Sequence, residues 1–160
     1  MKILVLYYSK GGNTRSLAEA IGEGAGQVEG VEVVLRHTRD VNKDDFVSAQ
    51  GLIIGSPVYF GTMAAQLKQV LDDFVGVRRK MENKVGAAFT TSGDPTGGKE
   101  TTMLSIIQAM LIYGMIIVGD PLSATGHYGT ACVGAPDGAA QENGRKLGQR
   151  VAELVKQINS

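Results

Sequence analysis

The chain has 160 residues, 43% of them hydrophobic, which suits one domain spanning 1–160 with a substantial core. Its 16 basic residues cancel its 16 acidic ones, which argues against nucleic acid or an anionic membrane surface as partner. The single cysteine, Cys132, cannot close an internal disulfide, so the expectation is a reducing, cytoplasmic setting with Cys132 as a small core residue.

The first element is an apolar run over residues 3–8, read as a buried strand; it is too short for the core of a signal peptide. Leu17, Ile21, Ala25 and Val28 then fall on one helical face. The last turn of this helix and the following loop contain Gly22, Gly24, Gly26 and Gly30, so the helix end is either frayed or closely packed. A second strand is expected over 31–35, a short connection with one helical turn over 40–48, and a third strand over 51–55. Met63, Leu67, Val70, Leu71 and Phe74 predict the next helix, and 85–90 the fourth strand. Residues 101–119 carry no charge and approach the length of a membrane span. Their polar Thr101, Thr102, Ser105 and Gln108, and the break at Gly114, predict instead a buried helix, a glycine cap and a buried fifth strand over 115–118. Leu147, Val151, Leu154, Val155 and Ile158 predict a closing amphipathic helix. Strands alternating with helices give an α/β protein with a parallel sheet covered on both faces.

In such a sheet the loops after the strands emerge at one edge, where ligands bind. Three of them are specialised. Ser9, Lys10, Gly11, Gly12, Asn13 and Thr14 combine small residues with a helix start, which suits a phosphate monoester as well as it suits a tight turn with an N-cap. Pro57, Val58, Tyr59, Phe60 and Gly61 place adjacent aromatics near the edge, suited to a flat ring or to packing back under the sheet. Thr91, Ser92, Gly93, Asp94, Gly97 and Gly98 supply hydroxyls and backbone donors for a heterocycle edge or a sugar-like chain. Residues 93–99 also fit G-x-x-x-x-G-K, but Glu100 stands where magnesium coordination calls for Ser or Thr, and Pro95 removes a donor. Asp120 is the sole faint partner for that motif, so a nucleotide hydrolase is disfavoured.

Taken together, the three loops resemble the flavodoxin-like family along essentially the whole chain. The first resembles its S/T-x-x-G-N-T cradle for FMN. The second and third resemble the WrbA-type NAD(P)H:quinone oxidoreductases, with Pro57 to Gly61 matching P-x-x-x-G and Thr91-Ser92-Gly93…Gly97-Gly98-Lys99-Glu100 matching a Gly-rich segment. Tyr128-Gly129-Thr130, followed by Gly134, resembles the closing segment of that branch. The resemblance implies a three-layer α/β/α sandwich with five parallel strands in the order 2-1-3-4-5. It implies FMN, its phosphate held by Ser9, Gly11, Gly12, Asn13 and Thr14, with Lys10 at a variable position. Pro57 to Gly61 would line one side of the ring, and Thr91, Ser92 and Gly93 would approach its pyrimidine end or the ribityl chain.

The implied function is oxidation of NAD(P)H at the flavin with a quinone-like acceptor; the alternative is a flavodoxin carrying electrons between partner proteins. No metal site is expected, and a homo-oligomer stays open. WrbA-type chains place a flavin-facing histidine just before the fifth strand, where this chain has Tyr113; His127 is the other candidate for that space, with a solvated loop residue as its competing reading. Neither completes a catalytic dyad, and in this family the flavin carries the chemistry.

Overall fold

A computed structural model describes residues 1–159. The elements run β1 (Lys2–Tyr7), α1 (Asn13–Gly26), β2 (Glu32–His37), α2 (Lys43–Ser48), β3 (Gly51–Tyr59), β4 (Thr62–Met63), α3 (Ala65–Asp73), a 3₁₀ segment (Val75–Met81), β5 (Val85–Ser92), α4 (Lys99–Ile112), β6 (Ile116–Ile117), β7 (Gly129–Val133) and α5 (Gly138–Ile158). The sheet path is β2-β1-β3-β5-β6, with β7 also on β5 and β4 on β3. Every pairing is parallel except β3 with β4.

The expected order 2-1-3-4-5 therefore holds for the sheet positions, but the fifth position is shared by two short strands. β6 pairs through Ile116 and Ile117 with the start of β5, and β7 pairs with its end from Ala88↔Gly129 to Ser92↔Val133. The chain leaves the sheet after Val118, whose N–H still reaches Gly86 O at 2.9 Å. Pro121 soon follows, and its missing N–H cannot continue a ladder.

Alternation along the strands makes the two faces. Leu4, Leu6, Leu52 and Ile54 point toward a core shared with Phe46 of α2, Leu67 and Leu71 of α3, and Ile106 and Met110 of α4. Ile3, Val5, Ile53 and Phe89 point the other way, against Leu17 and Ile21 of α1 and Leu147 and Val151 of α5. The result is three layers. α2 begins with a reciprocal cap: Asn42 Oδ1 accepts the Asp45 N–H at 3.0 Å, and Asp45 Oδ2 accepts the Asn42 N–H at 3.1 Å.

The glycines near the end of α1 are packed, not frayed. A Cβ on Gly24 would overlap the backbone of Arg145, and one on Gly148 would overlap the carbonyl of Ile21. α1 and α5 thus touch backbone to backbone along the second half of α1.

The uncharged stretch 101–119 is a helix, a turn at Gly114 (φ +76°) and the short β6, as expected, but it is not buried throughout. Leu111 is 56% exposed and Ile112 67%. No helix among the described residues is long and apolar enough to cross a membrane. Val28 and Met63 also lie outside the helices drawn from their periodicity: α1 ends at Gly26, and Met63 belongs to β4.

Tyr113, at the end of α4, is buried and donates its hydroxyl to Leu71 O at 2.6 Å. Burial pushes its phenol up to about 12. Tyr113→Phe would strand that carbonyl, and urea unfolding is expected to register a loss of about 1 kcal/mol; an unchanged midpoint would show that Leu71 O finds another donor.

Candidate functional site

The first loop leaves β1 at Tyr7 and enters α1 at Asn13. Ser9 Oγ accepts the Gly12 N–H at 3.1 Å, closing a turn over residues 9–12. Gly12 has φ +97°, in the left-handed region that a side chain rarely adopts, and it serves as the helix N-cap without any side-chain cap. The Ser16 N–H takes Gly12 O at 2.9 Å. The N–H groups of Asn13, Thr14 and Arg15 come before the first intrahelical donor, Ser16, so they have no intrahelical acceptor and lie at the positive end of the helix dipole. No acidic residue stands in the first turn. A Cβ on Gly11 or Gly12 would meet no atom within 4 Å, so both open onto free space. The exposed Lys10 makes no ion pair among the described residues.

The second segment is a hairpin, because β3 runs on to Tyr59 and turns back as β4. Val58 pairs with Met63 and Tyr59 with Thr62, leaving Phe60 and Gly61 as the turn, both with positive φ. Phe60 is wholly exposed at the tip, so it does not pack back under the sheet. Tyr59 is half-buried, its ring edge-on to Tyr8 at 6.2 Å. Burial, and secondarily Tyr8, raises the Tyr59 phenol above its ordinary value. Ser56 Oγ braces the hairpin by accepting the Ala64 N–H at 2.8 Å.

In the third segment Thr91 and Ser92 still belong to β5. Thr14 Oγ1 and Thr91 Oγ1 lie 2.8 Å apart and buried, a direct link between the first and third segments. Thr14 therefore contributes to this link as well as to the lining of the crevice. Beyond Ser92 the chain turns on itself: Asp94 Oδ1 accepts both the N–H and the hydroxyl of Thr96 at 2.9 Å. These bonds hold the Asp94 carboxyl below its ordinary value. A donor that a triphosphate would need from the G-x-x-x-x-G-K segment is therefore taken by the loop's own carboxylate. Thr101 Oγ1 donates to Gly61 O at 2.6 Å, tying the hairpin to the start of α4.

A cavity of about 170 Å³ lies where the three segments meet. Ser9, Lys10, Gly11, Asn13 and Thr14 line it from the first segment, Pro57, Val58 and Tyr59 from the second, and Thr91, Ser92 and Gly93 from the third. Gly12 forms the turn beneath it, while Phe60, Gly61, Asp94, Gly97 and Gly98 stand outside its lining. Gly134 joins the lining, held by its N–H to Ser92 O at 2.8 Å. Its place follows from β7 pairing with β5, a contact no local pattern encodes.

Two sequence candidates lie elsewhere. His127 is exposed and lines a separate cavity of about 230 Å³ with Lys99, Glu100 and Asn143. Tyr113 is occupied with Leu71 and is buried against the α3 side of the core. Asp120 is buried in the segment that leaves the sheet, its backbone carbonyl bound by Arg150 Nη1 at 2.7 Å. Cys132 is half-buried; burial pushes its thiol up to about 11, which suits a packing residue rather than a nucleophile.

With this geometry in view, comparison with known proteins is informative. The family described as NADPH-dependent FMN reductase matches residues 1–130. The chain is 36% identical to a flavodoxin of Aquifex aeolicus, over 96% of this chain and 86% of that protein. It is 32% identical to an NAD(P)H dehydrogenase (quinone) of Archaeoglobus fulgidus, over 98% of each. Among solved structures it is similar to a flavodoxin, WrbA-like protein from Agrobacterium tumefaciens, with a TM-score of 0.84, 25% identity and 98% of each chain covered.

Proposed function

Because this chain belongs to the family described as NADPH-dependent FMN reductase, we propose that it binds FMN in the crevice between the three segments and passes reducing equivalents from NAD(P)H to a quinone-like acceptor. The observation that carries this reading is the start of α1: an uncapped helix end, with no acid in its first turn, behind a glycine turn open to free space. That is the donor set a phosphate monoester takes, and a Cβ at Gly11 or Gly12 would stand in the space it needs. The residues present fit the group.

In this reading the backbone N–H groups of Gly11, Asn13 and Thr14 hold the phosphate, with Gly12 as the turn whose own N–H is bound by Ser9 Oγ, and the Lys10 ammonium offsets its charge. Pro57, Val58 and Tyr59 form one wall for the ring. Thr91, Ser92 and Gly93 offer hydroxyl and backbone groups on the other side, and the Thr14–Thr91 hydroxyl pair ties that wall to the phosphate cradle. The bound FMN supplies the two-electron redox chemistry that no side chain here can provide. The protein's part is to hold one edge and leave a face open. On this reading the chain is a single domain, 1–160 in sequence, built around this crevice.

The 36% identity to the Aquifex aeolicus flavodoxin favours a second reading, an electron carrier between proteins. The two separate in one assay. FMN-loaded protein is expected to oxidise NADH or NADPH in the presence of benzoquinone at a rate well above that of the same concentration of free FMN. A rate no greater than free FMN, with the flavin still bound, would assign the chain to the carrier.

A further inference from the structure

We propose that His37, the last residue of β2, is a positioning residue of the phosphate cradle, holding the peptide of Ser9 so that the loop presents its donors. The inference rests on the reading of residues 9–14 as that cradle. Parallel pairing of β1 with β2 sets Tyr7 opposite His37, so the imidazole arrives at the point where β1 gives way to the loop. Two tyrosines fix its plane. Tyr7 meets it edge-on at 5.5 Å and 89°, and Tyr8 at 5.5 Å and 56°.

Both ring nitrogens face backbone. Nδ1 accepts the Arg39 N–H at 3.2 Å. Nε2 lies 3.3 Å from Ser9 O and 3.4 Å from Ser9 N. A neutral imidazole has one lone pair for accepting and one N–H for donating. With the lone pair of Nδ1 given to Arg39, the proton sits on Nε2 and is donated to Ser9 O. We assign that tautomer because it keeps the Arg39 bond to Nδ1; it forgoes the Ser9 N–H, which would donate to Nε2 at 3.4 Å only with the proton on Nδ1.

The consequence for the loop follows from peptide geometry. A trans peptide points its carbonyl and its N–H in opposite directions. Pinning Ser9 O on His37 therefore turns the Lys10 N–H away from the imidazole, and Lys10 lines the cavity. The same residue, through Ser9 Oγ, holds the Gly12 N–H at 3.1 Å. One side chain from the neighbouring strand thus anchors the carbonyl at one end of a turn whose other end is the left-handed Gly12. Without it, Ser9 O would have only water as partner, and the turn would lose its link to the sheet on that side. The effect is specific to the phosphate, since no other part of a flavin meets residues 9–12 in this reading.

Riboflavin, which lacks the phosphate, makes that specificity measurable. Dissociation constants for FMN and riboflavin are to be determined by quenching of flavin fluorescence with cofactor-free wild type, His37→Phe and His37→Gln. His37→Phe keeps a ring between the tyrosines but no donor; it is expected to weaken FMN about three- to tenfold, the size of one hydrogen bond, and to leave riboflavin unchanged. His37→Gln restores a donor near Nε2 and is expected to recover most of the loss. Equal weakening of both ligands, or no weakening of FMN, would overturn the role of His37. A wild type that binds FMN no better than riboflavin would instead remove the cradle reading. Should His37→Phe fail to fold, the tautomer decides on wild type alone: long-range proton–nitrogen correlation must place the imidazole proton on Nε2, and a proton on Nδ1 would overturn the proposal.

Discussion

Gly12→Asp is expected to weaken FMN binding by about two orders of magnitude while the thermal midpoint moves by only a few degrees. Two effects act together. At φ +97° any side chain is strained, at a cost of about 1 kcal/mol or more, although aspartate is among the residues that tolerate the region best. The larger effect is charge. A carboxylate a few ångströms from a phosphate in a half-exposed site is disfavoured by about 2–4 kcal/mol at an effective dielectric near 20. Because a Cβ at this position meets no protein atom within 4 Å, the substitution does not disturb packing, so the loss falls on the ligand. Gly12→Ala separates the two effects: it keeps the strain, lacks the charge, and should show a smaller loss. Fluorescence titration of the cofactor-free variants reads both. Unchanged FMN affinity in Gly12→Asp would mean that the phosphate lies elsewhere.

The other large effect concerns stability. Gly148→Ala is expected to destabilise the protein by about 3 kcal/mol in urea unfolding, the upper part of the range for overpacking, because the clash is with backbone and not with a movable side chain. Its Cβ would overlap Ile21 O and stand 2.9 Å from Ala25 N. α1 and α5 would have to separate, and the start of α1, where the candidate cradle sits, would move with them. Gly138→Ala is the control: it lies in the same helix, with nothing within 4 Å of its Cβ, and should be neutral or slightly stabilising. A loss of less than about 1 kcal/mol at Gly148 would show that the helices can part cheaply.

Much of this architecture was legible in the sequence, for reasons that particular elements make plain. β1 and the first halves of β3 and β5 are buried on both faces and read as short apolar runs bounded by glycine and small polar residues, the mark of a buried parallel strand. The small polar residues after β1 mark a strand-to-helix turn because glycine and a helix start occur together. The flavodoxin-like fold implied by the loop motifs is the one observed, and the WrbA-like structure from Agrobacterium tumefaciens shares it.

What was not legible depends on contacts between distant segments. Leu111 and Ile112 carry an apolar signal, but periodicity cannot say whether another element covers them, and here none does. The fifth sheet position is divided because two separate pieces, β6 and β7, find successive parts of β5. Phe60 points outward because the second segment is a two-residue hairpin, whose register is set by pairing with Thr62 and Met63. His37 reads as an ordinary strand-end residue until the register of β1 on β2 brings it within reach of Ser9, 28 positions earlier. Tyr113 and His127 were drawn toward the site by resemblance alone. The structure gives the first a structural hydrogen bond and the second a different cavity.

The central claim is that the first turn of α1 holds the phosphate of FMN. The measurement closest to it is a titration of ¹⁵N-labelled, cofactor-free protein with FMN, following backbone amides. Large shifts at Gly11, Gly12, Asn13 and Thr14, with smaller ones at Ser92 and Gly93, saturating at one FMN per chain, are the predicted result. Saturable FMN binding that leaves those amides in place and moves the residues around His127 would contradict the account.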